Sequence, residues 1–102
     1  MLWHHALHVI VSYRDRRTAD FAGGTRVKAL SGIARPARLK LDRVEAAHTL
    51  ADLAALPGNR FEALKGGRKG QFSIRINDQW RICFEWPENV PGPTNVEIVD
   101  YH

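Results

Sequence analysis

RFEALKGGRKGQFSIRINDQWRICF, residues 60–84, carries the reading of the fold. Phe72, Ile74 and Ile76 alternate with polar residues, and so do Trp80, Ile82, Phe84 and, one step further, Trp86. Successive side chains of a strand point to opposite faces, so each set lines one face, and Asn77-Asp78-Gln79 between them is turn chemistry. The stretch is a hairpin with one apolar face, and that face needs an apolar layer to cover it. Alternation leaves Arg75 on the other face of its strand, and Arg81, Cys83 and Glu85 on the other face of theirs. An arginine in mid-sheet beside a core tryptophan is costly to hold unless it reaches a carboxylate or stays open to an anion. Glu97 and Glu85 are the candidate carboxylates across the sheet.

Working outward, Gly66-Gly67 separates this hairpin from a short strand over Arg60–Ala63, and the Pro-rich loop Pro87–Thr94 leads to a last strand over Val96–Tyr101. In the first half, the β-branched and aromatic run up to Tyr13 reads as a strand, Val9–Tyr13. Arg14–Ala22 reads as a short amphipathic helix ended by Gly23-Gly24, and a second helix is expected from Pro36 to Ala47, with Leu39, Val44 and Ala47 at helical spacing. Its cationic residues Arg35, Arg38, Lys40 and Arg43 are read as a solvated face with snorkelling stems. Thr49-Leu50-Ala51-Asp52 has the form of a capping box with Asp in the acidic place, so a further short helix starts there and stops before Pro57-Gly58. The expectation is an α+β domain with a twisted, mainly antiparallel β-sheet. Two N-terminal helices pack on one face, in the order β-α-α-β-β-β-β, with an anion-binding hollow on the other face.

A chain of 102 residues, 44% of them hydrophobic, suits a single domain that buries its own core, so residues 1–102 are read as one unit. Fifteen Lys and Arg against eleven Asp and Glu give a formal charge of +4, and the pI is near 9.7. That balance favours a polyanion or an acidic protein as partner. The single cysteine, Cys83, excludes an internal disulfide framework and a cysteine-based zinc site, and fits a reducing, cytoplasmic setting. No nucleotide or metal fingerprint is present, and no cofactor is expected. The opening MLWHHALHVIV has no Lys or Arg and an apolar run broken by histidines, so it is read as neither a signal peptide nor a membrane span. Residues 1–8 are read as a dispensable overhang, not as a metal site built on His4 and His8.

Six cations fall between Arg60 and Arg81, namely Arg60, Lys65, Arg68, Lys69, Arg75 and Arg81, against Glu62 and Asp78. Together with Leu64-Lys65-Gly66, Arg68, Gly70, Ser73-Ile74, Trp80-Arg81-Ile82 and the ending Val99-Asp100-Tyr101-His102, they make the chain resemble the HigB-type toxins, the plasmid-maintenance killer proteins of the RelE superfamily. The resemblance runs from about Val11 to His102. It implies a RelE-like microbial ribonuclease fold that enters the ribosomal A site, cleaves mRNA there, and is restrained by a HigA-like helix-turn-helix antitoxin. It further implies catalytic roles for Lys65 near the scissile phosphate, for Arg81 as a phosphate ligand, and for Asp100, Tyr101 and His102 as a terminal trio. Arg60, Arg68, Lys69 and Arg75 are the candidate RNA-binding cations. Some relatives have a histidine where this chain has Glu62, and many have Asp where it has Gly67.

These residue types suit metal-free RNA cleavage. The neighbouring 2′-OH is the nucleophile, so the protein has to move two protons and stabilise charge growing on phosphorus. Lys65 and Arg81 supply charge, and His102 titrates near neutrality. Tyr101 stacks on a base or orients the phosphate, while Asp100 holds Tyr101 or His102 in place. The proton transfers are left among His102, Tyr101 and Glu62. The rival reading is a basic module that binds RNA or docks an acidic protein without catalysis.

Overall fold

The computed structural model describes residues 10–101; the expectations for the overhang at residues 1–8, for Val9 and for His102 lie outside the described residues. Three α-helices come first: α1 (Arg16–Ala22), α2 (Ala34–Ala46) and α3 (Leu50–Ala54). Four strands follow: β1 (Glu62–Ala63), β2 (Gln71–Arg75), β3 (Trp80–Glu85) and β4 (Thr94–Asp100). Short 3-10 turns occupy Lys28–Ile33, Pro57–Asn59 and Gly66–Arg68. The strands form one antiparallel sheet in the order β1-β2-β3-β4.

The helix starts follow from capping. Asp15 accepts the Thr18 N–H at 2.8 Å and opens α1. Thr49 and Asp52 form the reciprocal box expected for α3, with Thr49 Oγ1 accepting from the Asp52 N–H at 3.2 Å and the Asp52 carboxylate accepting from the Thr49 N–H at 3.1 Å and from the His48 N–H at 2.9 Å. Those backbone donors hold the Asp52 pKa below its ordinary value.

The segment expected as a first strand is not one among its described residues. Only Tyr13 forms a β-bridge, parallel to Val96. The Asp15 cap turns the chain into α1 two residues later, which leaves no room for a ladder. The sheet therefore has four strands and three helices precede it, so the order β-α-α-β-β-β-β needs that amendment. Arg60 also stands outside β1, because its backbone is left-handed (φ 46°) and cannot continue a strand.

The face assignment of the hairpin is borne out. Ile74 lies opposite Ile82 and Phe72 opposite Phe84. Ile74, Ile76, Ile82, Phe84, Val96 and Ile98 are buried against Leu30, Ile33, Ala37, Leu41, Val44 and Leu53 of the helical layer. Trp80 and Trp86 pack on the edge of this core, as expected of them. Truncating a side chain as enclosed as Phe84 would cost about 3–5 kcal/mol.

The outer side of β4 is occupied at Val96 and Ile98. Ser12 O accepts from Val96 N–H at 3.1 Å, and Arg14 N–H donates to Val96 O at 2.9 Å. Beyond the helix cap, side chains take over: Thr18 Oγ1 accepts from Ile98 N–H at 3.0 Å, and Arg17 donates to Ile98 O at 2.9 Å. Thr18 is fully buried to do this.

The cationic face expected of α2 is mostly engaged. Only Arg35 is fully exposed. Arg38 donates to the carbonyls of Phe21 and Ala22 and lies over the Phe21 ring at 4.6 Å. Lys40 is 8% exposed and bonded to the turn Pro57–Asn59, as is Arg43. The stems cover apolar surface as snorkelling predicts, but the heads of these three find protein acceptors.

Candidate functional site

On the sheet face away from the helices, Ser73, Cys83 and Glu97 stand in register across β2, β3 and β4. Arg81 lies on the same face, two residues from Cys83 and paired with Arg75 and Val99. Its side chain is only 13% exposed. Nε donates to Ser73 Oγ at 2.8 Å and Nη2 donates to the Arg60 carbonyl at 2.7 Å. Glu62 Oε1 approaches Nη2 at 3.5 Å, and the guanidinium carbon lies 5.7 Å from the centre of the Tyr101 ring. Two neutral acceptors thus set the guanidinium plane, and the carboxylate is a looser, more exposed third neighbour.

Neither Glu97 nor Glu85 is the partner of Arg81. Glu97, 9% exposed, is held by Arg68 at 3.0 Å and Arg14 at 3.4 Å. Glu85 receives Arg14 at 3.6 Å and the Asn95 amide at 3.1 Å. With these acids satisfied elsewhere, Arg81 retains capacity for an anion. Its Nη1 makes no hydrogen bond among the described residues, and no buried side-chain nitrogen or oxygen there lacks a partner, so Nη1 reaches solvent. Arg81 helps line a hollow of about 290 Å³ together with Arg60, Phe61 and Glu62. Phe61 stacks on Phe72 with ring centres 5.6 Å apart, which fixes this wall to the sheet.

The other expected residues are placed unequally. Tyr101 joins Arg81 through its ring, and its N–H donates to the Gln79 carbonyl at 2.7 Å. Asp100 pairs with Trp80 across β3 and β4, which puts it on the helix-facing side, where it accepts from the Gln79 amide at 3.0 Å. Lys65 begins the turn Gly66–Arg68, is exposed, and has no side-chain partner among the described residues. Arg60 lines the hollow, and Lys69 is exposed at the end of the turn Gly66–Arg68. Arg68 and Arg75 are already engaged, by Gln71 with Glu97 and by Asp78 respectively. The Glu97 bond raises the Arg68 pKa further.

Ser73 and the Arg60 carbonyl are the site members that residue types alone do not expose. Alternation puts Ser73 and Arg81 on one face, and that is the signal that could have found the serine. A carbonyl presented by a left-handed arginine leaves no trace in sequence. Cys83, next in the row, is pushed by burial to a pKa of about 11 and is inert at neutral pH.

Among the described residues, no helix is long and apolar enough to cross a membrane. Residues 12–102 match the family described as the RelE-like toxin of type II toxin-antitoxin system HigB. The chain is 49% identical over 62 residues to Toxin HigB-1 of Vibrio cholerae serotype O1, covering 61% of this chain and 65% of that protein. It is 31% identical over 67 residues to an uncharacterized protein of Haemophilus influenzae, covering 66% of each. The chain thus spans just under two thirds of the length of these relatives. A family match over nearly the whole chain, on an antiparallel sheet backed by helices, means that the chain belongs to the HigB-like, RelE-like toxins of type II toxin-antitoxin systems.

Proposed function

We propose that this protein is the toxin of a toxin-antitoxin pair, an endoribonuclease that cleaves mRNA in the ribosomal A site without a metal. The observation that carries the reading is the Arg81 guanidinium, fixed by Ser73 and the Arg60 carbonyl, set against the Tyr101 ring and lining a hollow with Arg60, Phe61 and Glu62. Preorganised donors aimed at developing charge are usually the largest single contribution to such a reaction. The 2′-oxygen attacks phosphorus while the bond from phosphorus to the 5′-oxygen breaks, leaving a 2′,3′-cyclic phosphate and a 5′-hydroxyl. Arg81 stabilises the equatorial oxygens and Lys65 adds a second cation from the exposed turn. Glu62, Tyr101 and His102 are the groups among which the two proton transfers are divided.

Arg60 and Lys69 meet the RNA backbone directly, whereas Arg68 and Arg75 do so only on releasing Glu97 and Asp78. Asp100 acts on Tyr101 and His102 by holding the chain end through Gln79. The setting is the cytoplasm, the working partners are the ribosome and its mRNA, and the restraining partner is a HigA-like helix-turn-helix antitoxin.

Cleavage of mRNA on programmed ribosomes tests the proposal. Arg81→Ala should lower the rate by about 10²- to 10³-fold, as removal of an oxyanion donor does, with the wild-type products ending in 2′,3′-cyclic phosphate. Wild-type protein that binds ribosomes or RNA yet yields no cleaved product would refute it in favour of a non-catalytic binding module.

A further inference from the structure

We propose that Lys40 and Asn59 are positioning residues for Arg81, acting through the backbone carbonyl of Arg60. The inference rests on Arg81 being the anion ligand of the proposed reaction. Neither residue touches Arg81 itself.

Lys40 is a costly residue where it stands. It is 8% exposed, and its Nζ donates to Gly58 O at 2.9 Å and Asn59 Oδ1 at 3.0 Å, both neutral acceptors. Burial depresses its pKa, and the nearby Arg43 and Arg75 depress it further. A buried ammonium among like charges, without a carboxylate, is poorer for stability than an apolar side chain of the same length.

What the arrangement provides is a fixed turn. Asn59 is fully buried and engaged at both ends of its amide: Oδ1 accepts from Lys40 and from Arg43 at 3.3 Å, and Nδ2 donates to Leu53 O at 3.0 Å. The turn Pro57–Asn59 is thereby held by α2 on one side and by α3 on the other. The residue it delivers is Arg60, left-handed at φ 46° and ψ 50°, with its N–H on Pro57 O at 3.2 Å. That conformation costs a non-glycine residue about 1 kcal/mol or more and persists where the surroundings enforce it. It presents the Arg60 carbonyl to Arg81 Nη2 at 2.7 Å. Ser73 supplies the sheet's half of the cradle, and the buried clamp sets the other half.

The experiment compares Lys40→Met, which keeps the stem and removes the donors, with Lys40→Arg and the wild type. Three quantities are read on the full chain: kcat and KM for mRNA cleavage on programmed ribosomes, the thermal melt, and solvent exchange of the Arg81 Nε–H by ¹⁵N NMR. Misplacing a charge-stabilising group by about 1 Å costs up to about 10²-fold. Lys40→Met should therefore lose about 10- to 10²-fold in kcat well below its melting point, with KM little changed, and Arg81 Nε–H should exchange faster. Lys40→Arg should recover part of both. In an Arg81→Ala background, Lys40→Met should have no further effect on residual cleavage, because residues acting through one group are not additive.

An Arg81 resonance and a rate per folded molecule that stay at wild-type values in Lys40→Met would overturn the clamp and reduce Lys40 to a helix staple. Faster Arg81 exchange, with cleavage insensitive to both Arg81→Ala and Lys40→Met, would uphold the clamp and overturn the assignment of Arg81 as the anion ligand of the reaction. Should Lys40→Met fail to fold, Lys40→Gln carries the same readouts with one donor kept.

Discussion

Ser73 and Arg81, eight residues apart on neighbouring strands, are joined across the open face of the sheet by a 2.8 Å hydrogen bond from Nε to Oγ. Ser73 is fully buried, so its hydroxyl sees little besides this guanidinium. Ser73→Ala should cost about 1.5–3 kcal/mol of stability, the worth of a hydrogen bond to a charged group. Cleavage should fall by about 10-fold, less than for Arg81→Ala, because the Arg60 carbonyl still holds Nη2. Rates on programmed ribosomes beside a melt check this, and a loss as large as that of Arg81→Ala would mean that the serine does more than orient.

Glu62, whose side chain is 53% exposed, competes with phosphate for Arg81. An exposed pair of this kind is worth about 0.2–1 kcal/mol. Glu62→Gln should accordingly tighten binding of a 2′-deoxy, non-cleavable RNA by up to a few-fold, measured by fluorescence anisotropy. The same variant apportions the chemistry: a drop in cleavage of about 10²-fold or more puts a proton on Glu62, and a near wild-type rate leaves both transfers to Tyr101 and His102.

His102→Gln is expected to lose most activity, on the scale of about 10²- to 10⁴-fold for a proton-transfer group, with little change in stability. Cleavage on programmed ribosomes beside a melt checks this, and full activity in the variant would remove His102 from the mechanism.

Cys83 offers a pH signature. Its thiol is pushed from 9.0 to about 11 in the folded chain, chiefly by burial, with Arg68 pulling the other way. A raised acid favours the protonated native state, so this stabilisation is full below about pH 9 and drains away as pH rises through about 11. Its size is on the order of 3 kcal/mol, since one pKa unit is worth about 1.4 kcal/mol. Urea melts of wild type and Cys83→Ala should converge as pH climbs from 8.5 to 11 (roughly the window set by the two values), and a constant gap would contradict the assignment. Native Cys83 should also resist a thiol reagent until the protein unfolds.

The alternation of Phe72, Ile74, Ile82 and Phe84 made the two faces of the sheet legible, because a period of two admits one register with the core. The place of Arg81 in mid-sheet, on the face away from the core, was legible for the same reason. The partner of Arg81 was not, since it depended on Glu97 being claimed by Arg68, 29 residues away, and by Arg14 from the far end of the chain. Lys40 was misread because helical spacing reports which face a residue occupies and is blind to a loop folding over that face. Arg60 was placed in a strand because nothing in an arginine announces a left-handed backbone. Long-range closure, not local preference, decided each of these.

Seven residues near the start of the described chain, 12–18, have a consequence out of proportion to their length. A sheet normally ends in a row of free donors and acceptors, a template on which another chain can extend the ladder. Here β4 has those groups at Val96 and Ile98 filled by Ser12, Arg14, Arg17 and Thr18, and the opposite border, β1, is only two residues long. Among the described residues, strand addition at Val96 and Ile98 is therefore blocked, and the border at β1 offers a template of only two residues.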